Sequence, residues 1–122
     1  MCSSDLPADV SWAWRRLVAA RGRLRVGDLA AEIGCSRKHL AVRFSEHVGL
    51  PPKLCARMLR VRHASEQVGS SHRGDLAEIA AKCGYYDQAH LDRDFRELMG
   101  TSPSAYRRRP VTSVQEMHAD PL

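Results

Sequence analysis

Two short polar stretches contain the residues whose types and spacing could do chemistry: RKHLAVRF, which begins at Arg37, and QAHLDRDF, which begins at Gln88. Both place cationic or amide side chains beside a repeated Leu and Phe. Guanidinium, ammonium and carboxamide groups are the ones that hydrogen-bond to phosphates and to base edges in DNA. The stretches therefore favour recognition of a nucleic acid over bond making or breaking.

The cysteines and histidines offer a second kind of chemistry, which their spacing does not support. The four cysteines stand at positions 2, 35, 55 and 83 without a CxxC pair, so neither a zinc site nor a disulfide framework is predicted. A rival hypothesis is an enzyme that uses Cys55 or Cys83 with a nearby histidine. Both lie on predicted buried helical stripes, where a thiol is usually an inert small hydrophobe. We therefore expect no catalytic residue, no metal and no cofactor.

The composition indicates a small basic globular domain. The 122 residues include 19 Lys and Arg against 14 Asp and Glu, a net charge of +5, and 43% are hydrophobic. Such a surplus favours a polyanionic partner, nucleic acid before a membrane surface. No run approaches the length of a membrane span, and the N-terminus MCSSDLP lacks the features of a secretion signal. We expect no membrane association and a cytoplasmic location.

The two ends of the chain are predicted to lie outside the folded part. CSSDL, Cys2 to Leu6, is what the end of a widely used sequencing adapter encodes, so residues 1–6 are interpreted as an assembly scar within a disordered segment 1–9. The natural protein would then begin further upstream. At the other end, residues 109–122 show little pattern and are predicted to form a flexible tail.

An internal repeat organises the chain between these ends. The segment 29–53 aligns with 79–104, first at an offset of 50 and, after one inserted residue, at an offset of 51. The matched pairs are Ala30/Ala80, Ala31/Ala81, Gly34/Gly84, His39/His90, Leu40/Leu91, Phe44/Phe95, Glu46/Glu97, Gly49/Gly100 and Pro52/Pro103. Chance rarely places this set in one register, so the two segments are predicted to share one structure.

Each copy of the repeat predicts a helix, a tight turn and a second helix. Gly34 and Gly84 end the first helices, because glycine adopts the left-handed conformation without steric cost. Ser36 and Asp87 are good N-caps for the second helices. The first unit is predicted over residues 10–50 and the second over residues 69–108.

Two details complete the predicted fold. Tyr85 and Tyr86, in the second turn, are both interpreted as packing residues, and one of them is expected to cover the corner between the two helices. Between the units, residues 51–68 predict a linker helix, opened by prolines and about 26 Å long from Pro52 to Val68. Its expected buried face is Leu54, Met58, Val61 and Val68. The fold class is all-α, with two helix-turn-helix subdomains, the long linker helix and about seven helices in total.

Two such units joined by a long helix, with G-x-x-P after each and P-x-x-Y-R at the end, resemble the AraC/XylS family of bacterial transcription regulators. The motifs here are GLPP at Gly49 and GTSPSAYR from Gly100, and the resemblance covers residues 10–108. GYYDQAHLDRDF is close to a branch common in actinobacteria. The resemblance implies sequence-specific binding of double-stranded DNA, by a domain that in most such proteins follows a sensing domain. RNA polymerase is then an expected partner if the protein is an activator.

Helical geometry places candidate contacts on the first recognition helix. With Leu40 inward, Lys38 and Val42 point outward and Arg37 and Ala41 lie on the flanks. Arg37 and Lys38 suit phosphate or guanine, and Ala41 and Val42 suit thymine methyl groups. The resemblance puts Lys38, Ala41 and Val42 at the groove.

The second recognition helix offers more polar contacts. With Leu91 inward, Ala89, Arg93 and Arg96 point outward, and Gln88 and His90 lie to either side. The resemblance puts Gln88, Ala89, His90 and Arg93 at the groove, where Gln88 suits adenine and Arg93 suits guanine or a phosphate. Asp92 and Asp94 would be repelled by phosphates unless they are paired or turned aside.

The leading hypothesis is a DNA-binding transcription regulator that inserts both recognition helices into successive major-groove segments as a monomer. A linker helix of this length, with the packed units, can set two helices one turn of B-DNA apart. The alternative is a helical protein-interaction module that retains the fold without specific DNA binding. The apolar Ala41 and Val42 and the two aspartates favour that alternative.

Overall fold

A computed structural model describes residues 7–69 and 75–109. The regular elements in these ranges are all helices, seven in number, as predicted: α1 (Ala8–Ala19), α2 (Val26–Ile33), α3 (Arg37–Val48), α4 (Pro52–Gly69), α5 (Leu76–Lys82), α6 (Gln88–Met99) and α7 (Pro103–Arg107). The interpreted adapter scar at 1–6 and positions 110–122 of the predicted tail lie outside the described residues. None of the described helices is long and apolar enough to cross a bilayer.

Glycines and capping residues shape both helix-turn-helix units in the predicted way. Gly34 and Gly84 have φ values of +94° and +90°, which is the left-handed region that glycine enters freely. Ser36 Oγ and Asp87 Oδ1 each accept a backbone N–H three residues later, at 3.0 and 2.8 Å. The local sequence therefore fixes where α3 and α6 begin.

The helices enclose two hydrophobic cores. The first subdomain comprises α1 to α3 and the start of α4, and Leu40 and Phe44 are buried at its centre. The second comprises the rest of α4 with α5 to α7, and Leu91 and Phe95 hold the equivalent places. Burying each of these large side chains contributes about 1.5–3 kcal/mol. The inward leucines therefore orient both recognition helices.

The repeat extends further than the sequence alignment indicated. Three buried residues of α1 lie 51 positions before three buried residues of α4: Val10/Val61, Ala13/Ala64 and Leu17/Val68. The second half of α4 is thus the structural counterpart of α1. The linker helix is also the first helix of the second subdomain.

Helix α4 presents different faces to the two cores along its 18 residues, about 27 Å. The predicted buried face is right for Val61 and Val68 but wrong for Met58, which is 46% exposed. Cys55 and Ala56 are buried in its place, because the first half of the helix packs against the first core. Since α4 belongs to both cores, the boundaries between the two units remain a prediction.

An ion pair ties the first helix of each subdomain to its recognition helix. Arg43 Nε and Nη2 donate to Asp9 Oδ2 and Oδ1 at 2.9 and 3.0 Å. Arg57 Nε and Nη2 donate to Asp94 Oδ1 at 3.2 and 3.0 Å. Arg43 and Asp94 occupy the same repeat position, directly before the buried phenylalanine. The recognition helix therefore contributes the cation in one subdomain and the anion in the other.

Candidate nucleic-acid interface

The recognition helix α3 presents most of its predicted contacts to solvent. Arg37 and Lys38 are exposed, Val42 is 50% exposed, and Ala41 is half-buried beside them. Lys38 and Val42 line a shallow surface together with Ser36 and His39. This surface combines one ammonium group with apolar area, which suits a phosphate next to a thymine methyl group.

Arg37 turns toward a different part of the first subdomain. Its Cδ would lie 3.1 Å from a Cβ placed on Gly27, so the side chain lies over the N-terminal turn of α2. It there lines an open cleft of about 430 Å³. The other charged residues of this cleft are three cations and one carboxylate: Arg25, Lys53, Arg60 and Asp28. A cluster of cations at a helix N-terminus favours a phosphate over a base edge as the partner of Arg37.

On α6, two arginines about one turn apart differ in whether they are paired with another side chain. Gln88, Ala89, Arg93 and Arg96 are all exposed. Arg93 makes no hydrogen bond or ion pair with any residue that the structure describes, whereas Arg96 Nε donates to Asp92 Oδ2 at 2.8 Å. The Arg93 side chain is therefore available to a ligand without rearrangement, whereas Arg96 would first have to leave its carboxylate.

His90 and the two tyrosines form the turn in front of α6. The Tyr86 N–H donates to His90 Nδ1 at 3.3 Å, and the imidazole lies edge-on to the Tyr85 ring with centroids 5.0 Å apart. With Nδ1 accepting this hydrogen bond, Nε2 is the ring nitrogen that remains available to a ligand. Tyr85 is buried as predicted, but the packing interpretation is wrong for Tyr86, which is 91% exposed. An exposed aromatic side chain directly before a recognition helix is a candidate contact that the sequence reasoning did not assign.

The carboxylates of α6 are held by the protein itself. Asp94 is 6% exposed and accepts both hydrogen bonds from Arg57, so it faces α4. Asp92 is paired with Arg96, and Asp87 caps the helix. The expected repulsion of phosphates is therefore reduced by burial in one case and by pairing in the other.

The structure gives no support to thiol chemistry. Cys55 and Cys83 are buried, and burial raises the pKa of both thiols, so the nucleophilic thiolate is disfavoured. In the parts of the chain that the structure covers, no group of His, Cys, Asp and Glu side chains could hold a metal ion.

Two helix-turn-helix units, each with a capped second helix that exposes cations, define the class of helix-turn-helix DNA-binding domains. A family model described as a helix-turn-helix domain matches residues 29–109. The chain belongs to this family. It belongs specifically to the AraC type, since a putative AraC-like transcription regulator of Streptomyces lividans is 34% identical over 86 residues, 70% of this chain and 28% of the relative. The family consists of DNA-binding domains of transcription regulators and not of enzymes.

The curated relatives are regulators from several bacteria. An HTH-type transcriptional regulator of Mycobacterium tuberculosis is 34% identical over 89 residues, 73% of this chain and 34% of the relative. The F1 operon positive regulatory protein of Yersinia pestis is 35% identical over 94 residues, 75% of this chain and 30% of the relative. The chain thus spans about a third of the length of the curated relatives it matches.

Solved structures share the fold. The C-terminal domain of AraT, a response regulator from Geobacillus stearothermophilus, superposes with a TM-score of 0.77 at 25% identity, covering 84% of this chain and 86% of that one. The DNA-binding domain of the global transcriptional factor AdpA, in complex with a target DNA, gives 0.73 at 25% identity, covering 83% and 91%. The narrower assignment to an actinobacterial branch stays a prediction.

Proposed function

We propose that this chain is the DNA-binding part of a bacterial transcription regulator, and that α3 and α6 enter successive major-groove segments of one duplex. The observation that carries the proposal is the equivalence of the two helices. Both are capped at the same point, bury a Leu and a Phe, and expose cationic and polar side chains on the opposite side. Recognition helices of this motif read DNA through such a face.

The two helices have different roles in the proposal. On α3, Lys38 contacts a phosphate or guanine, and Ala41 and Val42 contact thymine methyl groups, while Arg37 holds a phosphate in its cleft. An apolar surface of this kind discriminates modestly between sequences. The first subdomain therefore contributes more to affinity than to specificity.

Most base discrimination is assigned to α6. Gln88 suits the N6 and N7 atoms of adenine, and Arg93 suits the O6 and N7 atoms of guanine. Ala89 and His90 lie in the groove beside them, and Arg96 contacts a phosphate after leaving Asp92. The second subdomain therefore sets the preferred sequence.

One chain is sufficient for both contacts in this proposal. B-DNA repeats over about 34–36 Å, and α4, at about 27 Å, together with the packed units can place two helices one turn apart. The domain then binds as a monomer, in the cytoplasm, and meets RNA polymerase if the regulator is an activator. Titration of a labelled duplex with the protein tests the one-to-one stoichiometry.

A gel-shift assay on genomic DNA fragments across a salt series tests the proposed function. We expect one preferred fragment to survive competitor DNA, with log affinity falling by about 0.9 per phosphate contact for each tenfold rise in salt. Absence of a preferred fragment, with undetectable binding at low salt, would replace this function by the protein-interaction module. An apolar groove on the first subdomain, in which Trp14, Leu50 and Met58 are partly exposed, is the surface such a module would use.

A further inference from the structure

Arg60 lies where the two subdomains meet on α4. Its Nη1 donates to the carbonyl oxygen of Gly22, in the α1–α2 loop of the first subdomain, at 2.9 Å. Its Cζ lies 5.6 Å from the centroid of the Tyr85 ring, in the turn of the second subdomain. Only 16% of the Arg60 side chain is exposed. One guanidinium therefore contacts both helix-turn-helix units.

The loop that Arg60 holds has no room to move toward α4. Gly22 has a φ of +73°, and a Cβ placed on it would lie 2.1 Å from the carbonyl oxygen of Ala56. The same loop also touches the second subdomain directly, since a Cβ placed on Gly84 would lie 2.9 Å from Arg23 Cγ. The two loops thus press against each other beside Arg60.

A third group restrains Arg60 electrostatically. Its Nη2 lies 4.0 Å from Asp94 Oδ2, and Asp94 is held on α6 by its hydrogen bonds to Arg57. The low dielectric constant of a buried site strengthens this attraction. The guanidinium is therefore fixed between a carbonyl of the first subdomain and an aromatic ring and a carboxylate of the second.

We propose that Arg60 is a positioning residue that fixes the angle between the subdomains and so sets the spacing between the two DNA subsites that the chain accepts. The proposal rests on the proposed function, because it presumes that both recognition helices bind one duplex. Each base pair inserted between the subsites rotates one against the other by about 34° and moves it by about 3.4 Å. A rigid junction cannot follow that change, whereas a loosened junction can.

The experiment first selects duplexes from random DNA with the wild-type protein. The enriched sequence is then synthesised with its natural spacing and with one base pair inserted or removed between the subsites. Fluorescence anisotropy gives the affinities. We expect the wild type to lose about tenfold or more with either change, as for the loss of one set of base contacts. For Arg60→Met, the affinities for the three spacings should lie within about threefold of one another.

Arg57→Met is the matched control. It removes both hydrogen bonds to Asp94 and the ion pair with Glu97, which are both on α6. It should therefore reduce stability more than Arg60→Met and still keep the wild-type ratio of affinities for the natural and altered spacings. Arg60→Met leaves Asp94 paired with Arg57, so the variant is expected to fold, which thermal melting by circular dichroism checks. If Arg60 acted only by stabilising the fold, the variant with the lower free energy of unfolding would also discriminate less between the spacings.

Tyr85→Leu is the second variant, and it decides the matter if Arg60→Met does not fold. It removes the ring under the guanidinium, keeps an apolar group in the core and unpairs no charge. Like Arg60→Met, it should therefore reduce the difference in affinity between the natural and altered spacings. The proposal is overturned if folded Arg60→Met, or Tyr85→Leu in its place, keeps the wild-type ratio of affinities for the natural and altered spacings. It is also overturned if Arg57→Met reduces that ratio as much as Arg60→Met does. Failure of the wild type to enrich any sequence would instead overturn the proposed function.

Discussion

Replacing Arg93 with alanine should change the base preference of the domain, and replacing Arg96 should not. Arg93 is exposed and has no partner among the described residues, so it can bind DNA without first breaking a contact. A bidentate contact to guanine is worth about 1–3 kcal/mol, which corresponds to an affinity loss of about 5- to 150-fold. In Arg93→Ala this loss should appear only for duplexes that carry the preferred base pair at one position.

Arg96 starts from a different state, because Asp92 holds its Nε at 2.8 Å. An exposed pair four residues apart on a helix contributes only about 0.3–0.5 kcal/mol, so DNA phosphates can displace it at little cost. Arg96→Ala should weaken all sequences by about two- to threefold and reduce the salt slope by about 0.9. Asp92→Ala should act oppositely and tighten all sequences slightly.

Fluorescence anisotropy on the selected duplex, and on duplexes with each base pair changed in turn, separates these outcomes. Measurements at two salt concentrations give the slopes. The reasoning is refuted if Arg93→Ala lowers every affinity by one common factor, or if Arg96→Ala erases the preference at a single base pair. Either result would mean that base reading lies elsewhere on α6.

Three further outcomes concern stability. In urea denaturation, Tyr85→Ala should lower the free energy of unfolding by about 3–5 kcal/mol and Tyr86→Ala by less than about 0.5 kcal/mol; equal losses would contradict their assigned burial. Burial, reinforced by neighbouring positive charge, lowers the pKa of His63, so the unfolded state takes up the proton first and stability should fall as the pH drops below about 6.5. His63→Gln should flatten the pH dependence of the free energy of unfolding, measured by urea denaturation between about pH 5 and 8. If wild type and variant depend on pH in parallel, His63 is not its source. Gly22→Ala should cost at least about 2 kcal/mol, because its Cβ would meet the Ala56 carbonyl, and an unchanged melting temperature would disprove that close approach.

Local signals were sufficient to predict the ends and orientation of the recognition helices. Gly34 and Gly84 stop the preceding helices, and capping and a buried leucine fix the rest. The burial of α4 could not be read in this way, because a single periodicity assumes one core and α4 packs against two. Met58 was misassigned for that reason. The repeat in α1 was missed because only two of its residues, Val10 and Ala13, are identical to their counterparts, Val61 and Ala64.

The same distinction between local and long-range determinants applies to the candidate interface. Taking Leu40 and Leu91 as inward correctly predicted that Lys38, Val42 and Arg93 are exposed, since helical geometry alone determines that. The direction of a long side chain and the partner of a charge depend on other elements of the fold. The cleft around Arg37, the pairing of Asp94 with α4 and the contacts of Arg60 therefore had to come from the structure.

The charges that link each recognition helix to the first helix of its own half are reversed between the two halves, which helps the halves to assemble with their own elements. Arg60, whose Nη2 lies 4.0 Å from Asp94 Oδ2, occupies the place that Asp9 has in the first half, and Asp94 occupies the place of Arg43. If a recognition helix docked in the wrong half, or on a second copy of the chain, carboxylate would meet carboxylate and guanidinium would meet guanidinium. Like charges in close contact penalise such exchange. Repeated folds can misassemble by exchanging equivalent elements during folding. The charge reversal in this chain disfavours that exchange.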